Sequence, residues 1–471
     1  MDLVSLLNNA ANSLSAIQAK VATTSNNTAN ANTPGYARQQ ANMVEAASSK
    51  LGGNRGFIGG GVSLLNVTQT RDQFVEAQLP TAFANSSSST AESDALASVS
   101  VFDNGTTGGL NDAMSAFYSS LTAMAQNPSD SSLRQSVVGS ATALASAFNT
   151  TSAALEQARS GIDASVTGAV QQVNSILAQV ADLNRRISTA EASGGQPNDL
   201  LDQRHNLMDQ AAQLIGATQV PDAYGNISLV LPGGTTLVSG TSAASLTLQS
   251  SATNKGHLDI VFTPSDGSAP VVIKQADLGG QIGGLISARD GVLGQASTDL
   301  DTLAFDFATK LNAQNRAGSD LNGNPGGDLF SIGATSTNAA ANITIDPAMA
   351  ANPALLAAAG PATSSPGDAT NLAAMVSTQS ALLSNQLSAT QGLAKIVSDF
   401  GTATSDAQNA ASFSGSALQS LQNARSSASG VSLDDEMVSL TQEEHAYEAM
   451  AKVINVAGSL LDTLIGMVPN S

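Results

Sequence analysis

The side chains best suited to chemistry in this chain are its three histidines, His205, His257 and His445. They lie too far apart in sequence for the local spacing of a metal site. His205 and His445 fall on charged helix faces, which predicts solvated side chains. A Ser-His-Asp triad assembles in space and not in sequence, but no Gly-x-Ser-x-Gly motif marks a nucleophile. The histidines therefore predict no catalytic residue.

Residues 320–324, Asp-Leu-Asn-Gly-Asn, resemble the start of a calcium-binding loop, with oxygen ligands at alternate positions. The pattern then fails, because Pro325 stands where a glycine is needed and Ser331 where a bidentate glutamate belongs. The acidic clusters Asp434–Glu436 and Glu443-Glu444 are typical of a helix start or a solvated helix face. We therefore expect no catalytic, cofactor-binding or metal site.

The composition favours long helical packing and argues against nucleic acid as a partner. Hydrophobic residues make up 42% of the chain, but many are alanine and only 3% of all residues are aromatic, which favours thin helical layers over thick cores. The formal net charge of −19 opposes binding to phosphate backbones. Because cysteine is absent, we expect either a cytoplasmic protein or an export route without oxidative folding.

The N-terminus does not resemble a secretory signal, because Asp2 is acidic and Lys20 is the first basic residue. No apolar run reaches the roughly 18 residues that a membrane span requires. The sequence therefore predicts an uncleaved chain with no membrane insertion.

Both ends of the chain carry apolar residues at alternating steps of four and three, the pattern of a helix that packs a narrow seam against another helix. The polar face of the first helix, expected over residues 1–24, is almost uncharged, which suits crowding against other protein surfaces. We expect the terminal helices to pair as a coiled coil and to become ordered only when the subunit assembles. The predicted assembly seam consists of Leu3, Leu7, Leu14, Ile17, Val21, Met437, Leu440, Tyr447, Ile454, Leu461 and Ile465.

The order of helical and strand-like segments predicts an elongated, nested, mainly α chain with a small β-rich insertion. Each helical part is expected to combine early and late segments of the chain. The expected parts are a terminal helical domain of residues 1–40 plus 430–471, a long-helix domain of residues 41–216 plus 277–316 plus 369–429 with a β-hairpin near 52–70, a β-rich outer domain of residues 217–276, and an irregular loop-rich segment of residues 317–368.

Glycine, proline and serine clusters predict where the helices stop. The Asn-rich run that ends in Pro34-Gly35 predicts the end of the first helix. One unbroken helix is expected over residues 371–426. Further breaks are expected at Ser86–Ser89, Gly105–Gly109, Asn127-Pro128 and Gly194–Pro197.

The Asn-rich run also resembles the signature of flagellar axial proteins, and within them it is most similar to the hook-associated protein 1 family. Stretches at 198–204, 280–290, 320–328, 429–436 and 446–454 resemble the same family in the same order. Residues 441–445 depart from the family pattern, which usually has a basic and aromatic run there. The residues that carry the signature are Asn26, Asn27, Asn30, Thr33, Pro34, Gly35 and Tyr36.

The resemblance implies a structural subunit without catalysis, exported from the cytoplasm without a cleaved signal peptide and located at the hook–filament junction of the bacterial flagellum. The implied partners are the hook protein, the second hook–filament junction protein, copies of the chain itself in a ring, and an export chaperone at the C-terminal helix. The alternatives are a distal rod or hook subunit of the same axial family, and a secreted hydrolase or calcium-binding surface protein.

Overall fold

The computed structural model describes residues 3–50, 57–100, 109–221, 226–361 and 365–467. Helices dominate this part of the chain, and its strands form small antiparallel sheets. The prediction of a mainly α fold with small β elements is confirmed. No helix within these ranges is long and apolar enough to cross a membrane.

The helices in chain order are α1 (Leu3–Asn30), α2 (Gln73–Ala97), α3 (Leu110–Met124), α4 (Ser131–Ala192), α5 (Asn198–Ile215), α6 (Gly280–Ile286), α7 (Leu293–Ala317), α8 (Ala339–Asn342), α9 (Pro347–Ala351), α10 (Thr370–Ser377), α11 (Ala389–Ser429) and α12 (Leu433–Gly466). A π-helical segment, Ser287–Val292, lies between α6 and α7. Short 3₁₀ turns cover Ala252–Asn254, Gln275–Asp277 and Pro353–Leu355.

The strands in chain order are β1 (Gln39–Glu45), β2 (Ser49–Lys50), β3 (Phe57–Ile58), β4 (Val62–Gln69), β5 (Thr218–Pro221), β6 (Ile227–Val230), β7 (Thr236–Ser239), β8 (Ser242–Ala243), β9 (Ser245–Ser250), β10 (Leu258–Thr263), β11 (Val271–Val272), β12 (Phe330–Ser331) and β13 (Thr344–Ile345). β1 pairs with β4 over its whole length, so the hairpin expected near 52–70 is part of a ribbon that begins at Gln39.

The first helix is longer than the Asn-rich sequence suggests. α1 continues to Asn30, six residues beyond the expected end at Thr24. Within this run two short polar side chains bond back along the helix: Thr28 Oγ1 donates to the carbonyl of Thr24 at 2.9 Å, and Asn30 Nδ2 donates to the carbonyl of Asn26 at 3.0 Å.

The body of the molecule is built on α4, which is about 93 Å long at the standard helical rise. α3, α5 and α7 pack along it. Its buried face includes a stripe of valine and leucine side chains at Val166, Val170, Val173, Leu177 and Val180. A cluster of five aromatic rings lies in the core beside α4. Their centroids are 5.4 to 6.2 Å apart, in a largely edge-to-face arrangement, and the rings belong to Phe117, Tyr118, Phe148, Phe307 and Phe330.

The β-rich insertion is attached to α4 by two asparagines. Asn174 donates to the carbonyl of Leu246 and accepts from its N–H, both at 2.8 Å. Asn184 donates to the carbonyls of Ile227 at 2.8 Å and Gly240 at 2.7 Å. Both sheets of the insertion, β5 to β8 and β9 to β11, are therefore held by hydrogen bonds to one helix.

Two of the expected helix boundaries were wrong. α2 runs without a break through Ser86–Ser89. The expected single helix over 371–426 is divided, because α10 ends at Ser377 and α11 begins with a capping box in which Ser388 and Gln391 satisfy each other's backbone N–H groups. The expected breaks at 127–128 and 194–197 lie in turns, whereas residues 105–108 lie outside the described residues.

The unbroken serine segment has a packing reason. A Cβ on Gly284 of α6 would lie 2.0 Å from the carbonyl oxygen of Ser88 in α2. The two helices therefore touch through their backbones, and this contact requires a glycine on one helix and small side chains on the other.

We expect Gly284→Ala to lower the free energy of unfolding by about 2 kcal/mol, because the added methyl forces α2 and α6 apart. Gly168→Ala is the matched control, since a Cβ at this helical glycine meets nothing within 4 Å. That substitution should be neutral or raise stability by about 0.5 to 1 kcal/mol. Equal effects of the two variants in urea denaturation would contradict the assigned contact.

Candidate assembly interface

Asn27, in the last turns of α1, connects three separate segments of the chain. Its Nδ2 donates to the carbonyl of Gln39 at 2.9 Å and to Glu436 Oε2 at 3.1 Å. Its Oδ1 accepts from the N–H of Gln39 at 2.9 Å and from the hydroxyl of Tyr36 at 2.8 Å. An amide offers donors and an acceptor on one rigid group, and here one buried amide ties α1, β1 and α12 together.

The rest of the Asn-rich signature shapes the turn after α1. Asn30 Nδ2 donates to Asn26 Oδ1 at 2.8 Å, and Thr33 Oγ1 donates to Asn30 Oδ1 at 3.2 Å. Pro34 is exposed, and Gly35 has a φ of +79°, which favours glycine. The signature residues thus lie together, with Asn27 directed inward and the others forming the turn.

Tyr36 is held as a hydrogen-bond donor by its surroundings. Burial raises the pKa of its phenol to about 12, with further contributions from the negative charges of Asp202 and Glu436. The hydroxyl therefore stays protonated at physiological pH and keeps its bond to Asn27.

α1 and α12 pack side by side and antiparallel, with polar contacts along the seam. Thr24 Oγ1 donates to Glu443 Oε1 at 3.4 Å, and Lys20 Nζ lies 3.7 Å from the same oxygen. Nearer the turn, Arg38 Nε donates to Glu436 Oε1 at 2.7 Å. The two glutamates are seven residues apart and both point toward α1, so they lie on one face of α12.

The expectation that these acidic clusters are solvated was wrong for two of their members. Glu436 is 2% exposed and Glu443 is 6% exposed, whereas Asp434, Asp435 and Glu444 are exposed. Burial raises the pKa of Glu443, opposed by Lys20 and Thr24, and its Oε2 has no hydrogen-bond partner.

A signal for these two residues was present in the sequence. Glu436 immediately precedes Met437 of the apolar stripe, and Glu443 repeats its position after one seven-residue period. Lys20 and Arg38 are the basic residues of an otherwise almost uncharged N-terminal segment. In the structure Lys20 pairs with Glu443 and Arg38 with Glu436.

The predicted seam residues of α12 lie along one stripe but differ in exposure. Half-buried side chains occupy the predicted N-terminal positions and Leu440, Ile454 and Leu461 of α12. Met437, Tyr447 and Ile465 are 56%, 39% and 68% exposed. The half-buried seam residues of α1 are Leu3, Leu7, Leu14, Ile17 and Val21.

An ionic network joins the terminal pair to the helical body. Arg71 donates to the carbonyl of Gly35 at 3.1 Å and also pairs with Asp202 of α5. Arg425 of α11 donates to Glu76 Oε1 at 2.9 Å and to Asp209 Oδ2 at 2.8 Å. These contacts therefore join the turn after α1 to α2, α5 and α11.

His205 belongs to this network, and its expected solvated position was wrong. Its Nε2 lies 2.7 Å from Glu76 Oε2, whereas His445 is exposed as expected. Burial alone would raise the pKa of Glu76. The hydrogen bond and charge of His205, together with the two arginines, outweigh burial and lower this pKa to about 2.

The loop at Asp320 is closed by its own backbone. Asp320 is buried, and its Oδ1 accepts from the N–H groups of Asn322 and Asn324, both at 2.8 Å. Within the described ranges, no group of three or more His, Asp or Glu side chains is placed to hold a metal ion.

Family models match three parts of the chain. Residues 99–330 match the flagellar hook-associated protein FlgK helical domain. Residues 422–467 match the flagellar basal body rod FlgEFG protein C-terminal family, and residues 7–36 match the flagella basal body rod protein family. The two shorter matches coincide with α12 and α1, the helices of the interface.

Relatives cover the whole length of the chain. Flagellar hook-associated protein 1 of Escherichia coli is 28% identical over 548 residues, covering 98% of this chain and 100% of the relative. Its counterpart in Salmonella typhimurium is 33% identical over 332 residues, or 70% of this chain and 60% of that protein. The solved hook junction protein FlgK from Burkholderia pseudomallei shares the fold, with a TM-score of 0.68 at 20% identity over 75% of this chain and 100% of that one.

Asn27→Ala is expected to destabilise the pairing of α1 and α12 by about 3 kcal/mol, because it removes the hydrogen bonds of Asn27 to Glu436 Oε2 and to the backbone N–H and carbonyl of Gln39. Hydrogen exchange of amides in both helices should accelerate accordingly. Asn26→Ala removes a neighbouring exposed amide and should cost less than about 1 kcal/mol. Unchanged exchange in the Asn27 variant would show that the amide does not tie the ends together.

The same measurement on the free subunit checks whether the termini are ordered before assembly, which stays a prediction.

Glu76 predicts a defined loss of stability in acid. Because its folded pKa of about 2 lies below the ordinary value of 4.5, its stabilisation is complete above pH 4.5 and is lost as the pH falls toward 2. This stabilisation amounts to roughly 3 kcal/mol. The stability gap between the wild type and Glu76→Gln should therefore shrink as the pH falls from 4.5 toward 2. Asp94→Asn, at an exposed carboxylate of the same helix, should show no such change in urea titrations.

Proposed function

The chain belongs to the flagellar hook-associated protein 1 family, and we propose that its paired terminal helices are the element through which it is built into the flagellum. It is a structural protein of the hook–filament junction and not an enzyme, as its family is. The observation that carries the proposal is that α12 pairs with α1 along one face and leaves a second apolar face uncovered.

The uncovered face of α12 consists of large aliphatic side chains. Val453, Val456, Leu460 and Ile465 are 37% to 68% exposed. Val453, Val456 and Leu460 follow one another at steps of three and four, which makes them neighbours on the helix surface beside Ala457, which is fully buried. Full burial of a fully exposed side chain of this kind contributes roughly 1.5 to 3 kcal/mol, and each of these residues gains the part that corresponds to its exposed fraction. Contact with neighbouring subunits supplies that burial.

The difference in exposure gives the predicted seam two roles. Ile17, Leu440 and Ile454 hold the terminal pair together within one subunit. Met437, Tyr447 and Ile465 contact other subunits. This division accounts for a heptad pattern whose members differ so widely in exposure.

The partners follow from the same surface. Copies of the chain form a ring by heterologous contacts, in which different surfaces of neighbouring subunits meet and the rotation closes. The hook protein lies on one side of the ring and the second junction protein on the other. An export chaperone covers the apolar face of α12 while the subunit leaves the cytoplasm without a cleaved signal peptide.

The expected division of the chain serves this arrangement. The terminal domain of residues 1–40 plus 430–471 packs toward the tube axis, and the β-rich part of residues 217–276 points outward. Rod proteins match only the two terminal helices. The match over 99–330 therefore favours a junction subunit over a distal rod or hook subunit.

A deletion strain tests the proposal. Loss of the chain should leave a complete hook without a filament, whereas loss of a rod or hook subunit stops assembly earlier. Complementation with Ile454→Asp should fail, because the substitution places an unpaired charge against α1. Asn455→Asp adds the same charge at the adjacent exposed position and should restore motility.

Val456→Asp separates the two faces. Because Val456 is 59% exposed in the free subunit, this variant should keep the pairing of α1 and α12, as judged by hydrogen exchange, and still fail to support filaments. Normal motility in the Val456 and Ile454 variants would refute the assigned roles of both faces.

A further inference from the structure

His257 lies where the β-rich insertion meets the helical body, and it is 3% exposed. Its Nδ1 lies 2.6 Å from Asp163 Oδ2. Its Nε2 lies 3.0 Å from Glu156 Oε1, at an angle that makes an ion-pair contact without a directed hydrogen bond. A neutral imidazole carries a proton on only one nitrogen. A ring whose two nitrogens both face carboxylates is therefore suited to the doubly protonated, charged form.

Two buried arginines complete the cluster. Arg289 comes from the π-helical segment and donates to both oxygens of Asp290, at 2.8 and 2.7 Å. It also pairs with Asp163 and donates to the carbonyl of Leu258 at 2.8 Å. π-helical segments often occur at functional sites, and this one carries an arginine and an aspartate into the joint.

Arg159 links the same elements from α4. Its Nε donates to the carbonyl of Arg289 at 3.1 Å, and its Nη2 donates to Asn254 Oδ1 at 2.7 Å. Asn254 in turn donates to Asp290 Oδ1 at 2.8 Å. The turn before β10 is therefore held by side chains of both α4 and the π-helical segment.

The charges of this cluster balance only when the histidine is protonated. Three carboxylates face two guanidinium groups, which leaves one negative charge without a counterpart if the imidazole is neutral. Lys255, on the same turn, does not supply it, because its Nζ pairs with Asp301 of α7 at 3.1 Å. The charged groups that face His257 are Glu156, Arg159 and Asp163 from α4 and Arg289 and Asp290 from the π-helical segment.

We propose that the proton on His257 is a switch that clamps the β-rich insertion onto α4. The charged ring completes a neutral buried cluster and holds the turn at 251–258 in place. Loss of the proton leaves one negative charge in excess, shared between the largely buried Asp163 and the half-exposed Glu156, which is costly where water reaches the site only from one side. The turn then opens more readily, and the insertion becomes less firmly held.

The direction of the pH effect follows from this balance. Between about pH 5 and pH 8 histidine is the side chain whose charge normally changes. Clamping is therefore complete at the acidic end of this range and weakens as the pH rises. The effect is confined to the joint, so it is independent of the pairing of the terminal helices.

Two measurements on the full chain test the switch. In protein labelled with ¹⁵N only at histidine, three imidazoles contribute signals, and the His257→Gln variant identifies one of them. Both ring nitrogens of His257 should carry protons at about pH 6. Hydrogen exchange of amides 251–263, corrected for intrinsic rates, should be about tenfold faster at pH 8 than at pH 5.5, equivalent to about 1.4 kcal/mol. A neutral His257 at pH 6, or equal protection at both pH values, would overturn the proposal.

Glu156→Gln provides the decisive variant. Its side chain is 47% exposed, so the protein should fold, and the change balances the cluster around a neutral histidine. Protection of residues 251–263 should then no longer depend on pH. Asp182→Asn, at an exposed carboxylate elsewhere on α4, should keep the wild-type pH dependence. Wild-type behaviour in the Glu156 variant would show that charge balance does not set the clamp.

Discussion

The carboxylate of Glu436, buried between the two ends of the chain, is the group on which the closed terminal unit depends. Asn27 donates to one of its oxygens and Arg38 to the other. A buried carboxylate without such partners costs several kcal/mol. An apolar seam alone tolerates sliding by one heptad, but this carboxylate meets its partners in one register only. The hydrogen bonds therefore select the alignment that the apolar contacts stabilise.

Charged groups connect the paired terminal helices α1 and α12 to the rest of the molecule. Arg71 connects the turn at Gly35 to α5, and Arg425 connects α11 to both α2 and α5. The end of α1 is thereby fixed relative to the helical body by directional bonds, in a chain that has few aromatic side chains with which to build a thick core. A structural subunit must keep a constant shape under load, and buried ion pairs with satisfied geometry suit that purpose.

The apolar surface is distributed according to the same logic. Within one subunit, α1 covers the face of α12 that contains Ala457, and small side chains allow the helices to approach closely. The larger residues Val456 and Leu460 remain outside. A subunit built in this way closes on itself and still retains exposed apolar surface, the surface that we propose is buried on assembly.

Local patterns in the sequence determined much of this architecture: the heptad steps of both ends, the change to alternating residues in the insertion, and the turn at Pro34-Gly35 each express the geometry of a few neighbouring residues. Such patterns place Glu436 and Glu443 beside the apolar stripe, but they could not show that these two residues or His205 are buried, because their partners lie 129 to 419 residues away in sequence. The unbroken path of α2 through its serines likewise depends on a glycine of α6. The periodicity of a sequence determines which face of a helix is apolar. Only tertiary packing determines which charged side chains become buried on that face and which distant residues pair with them.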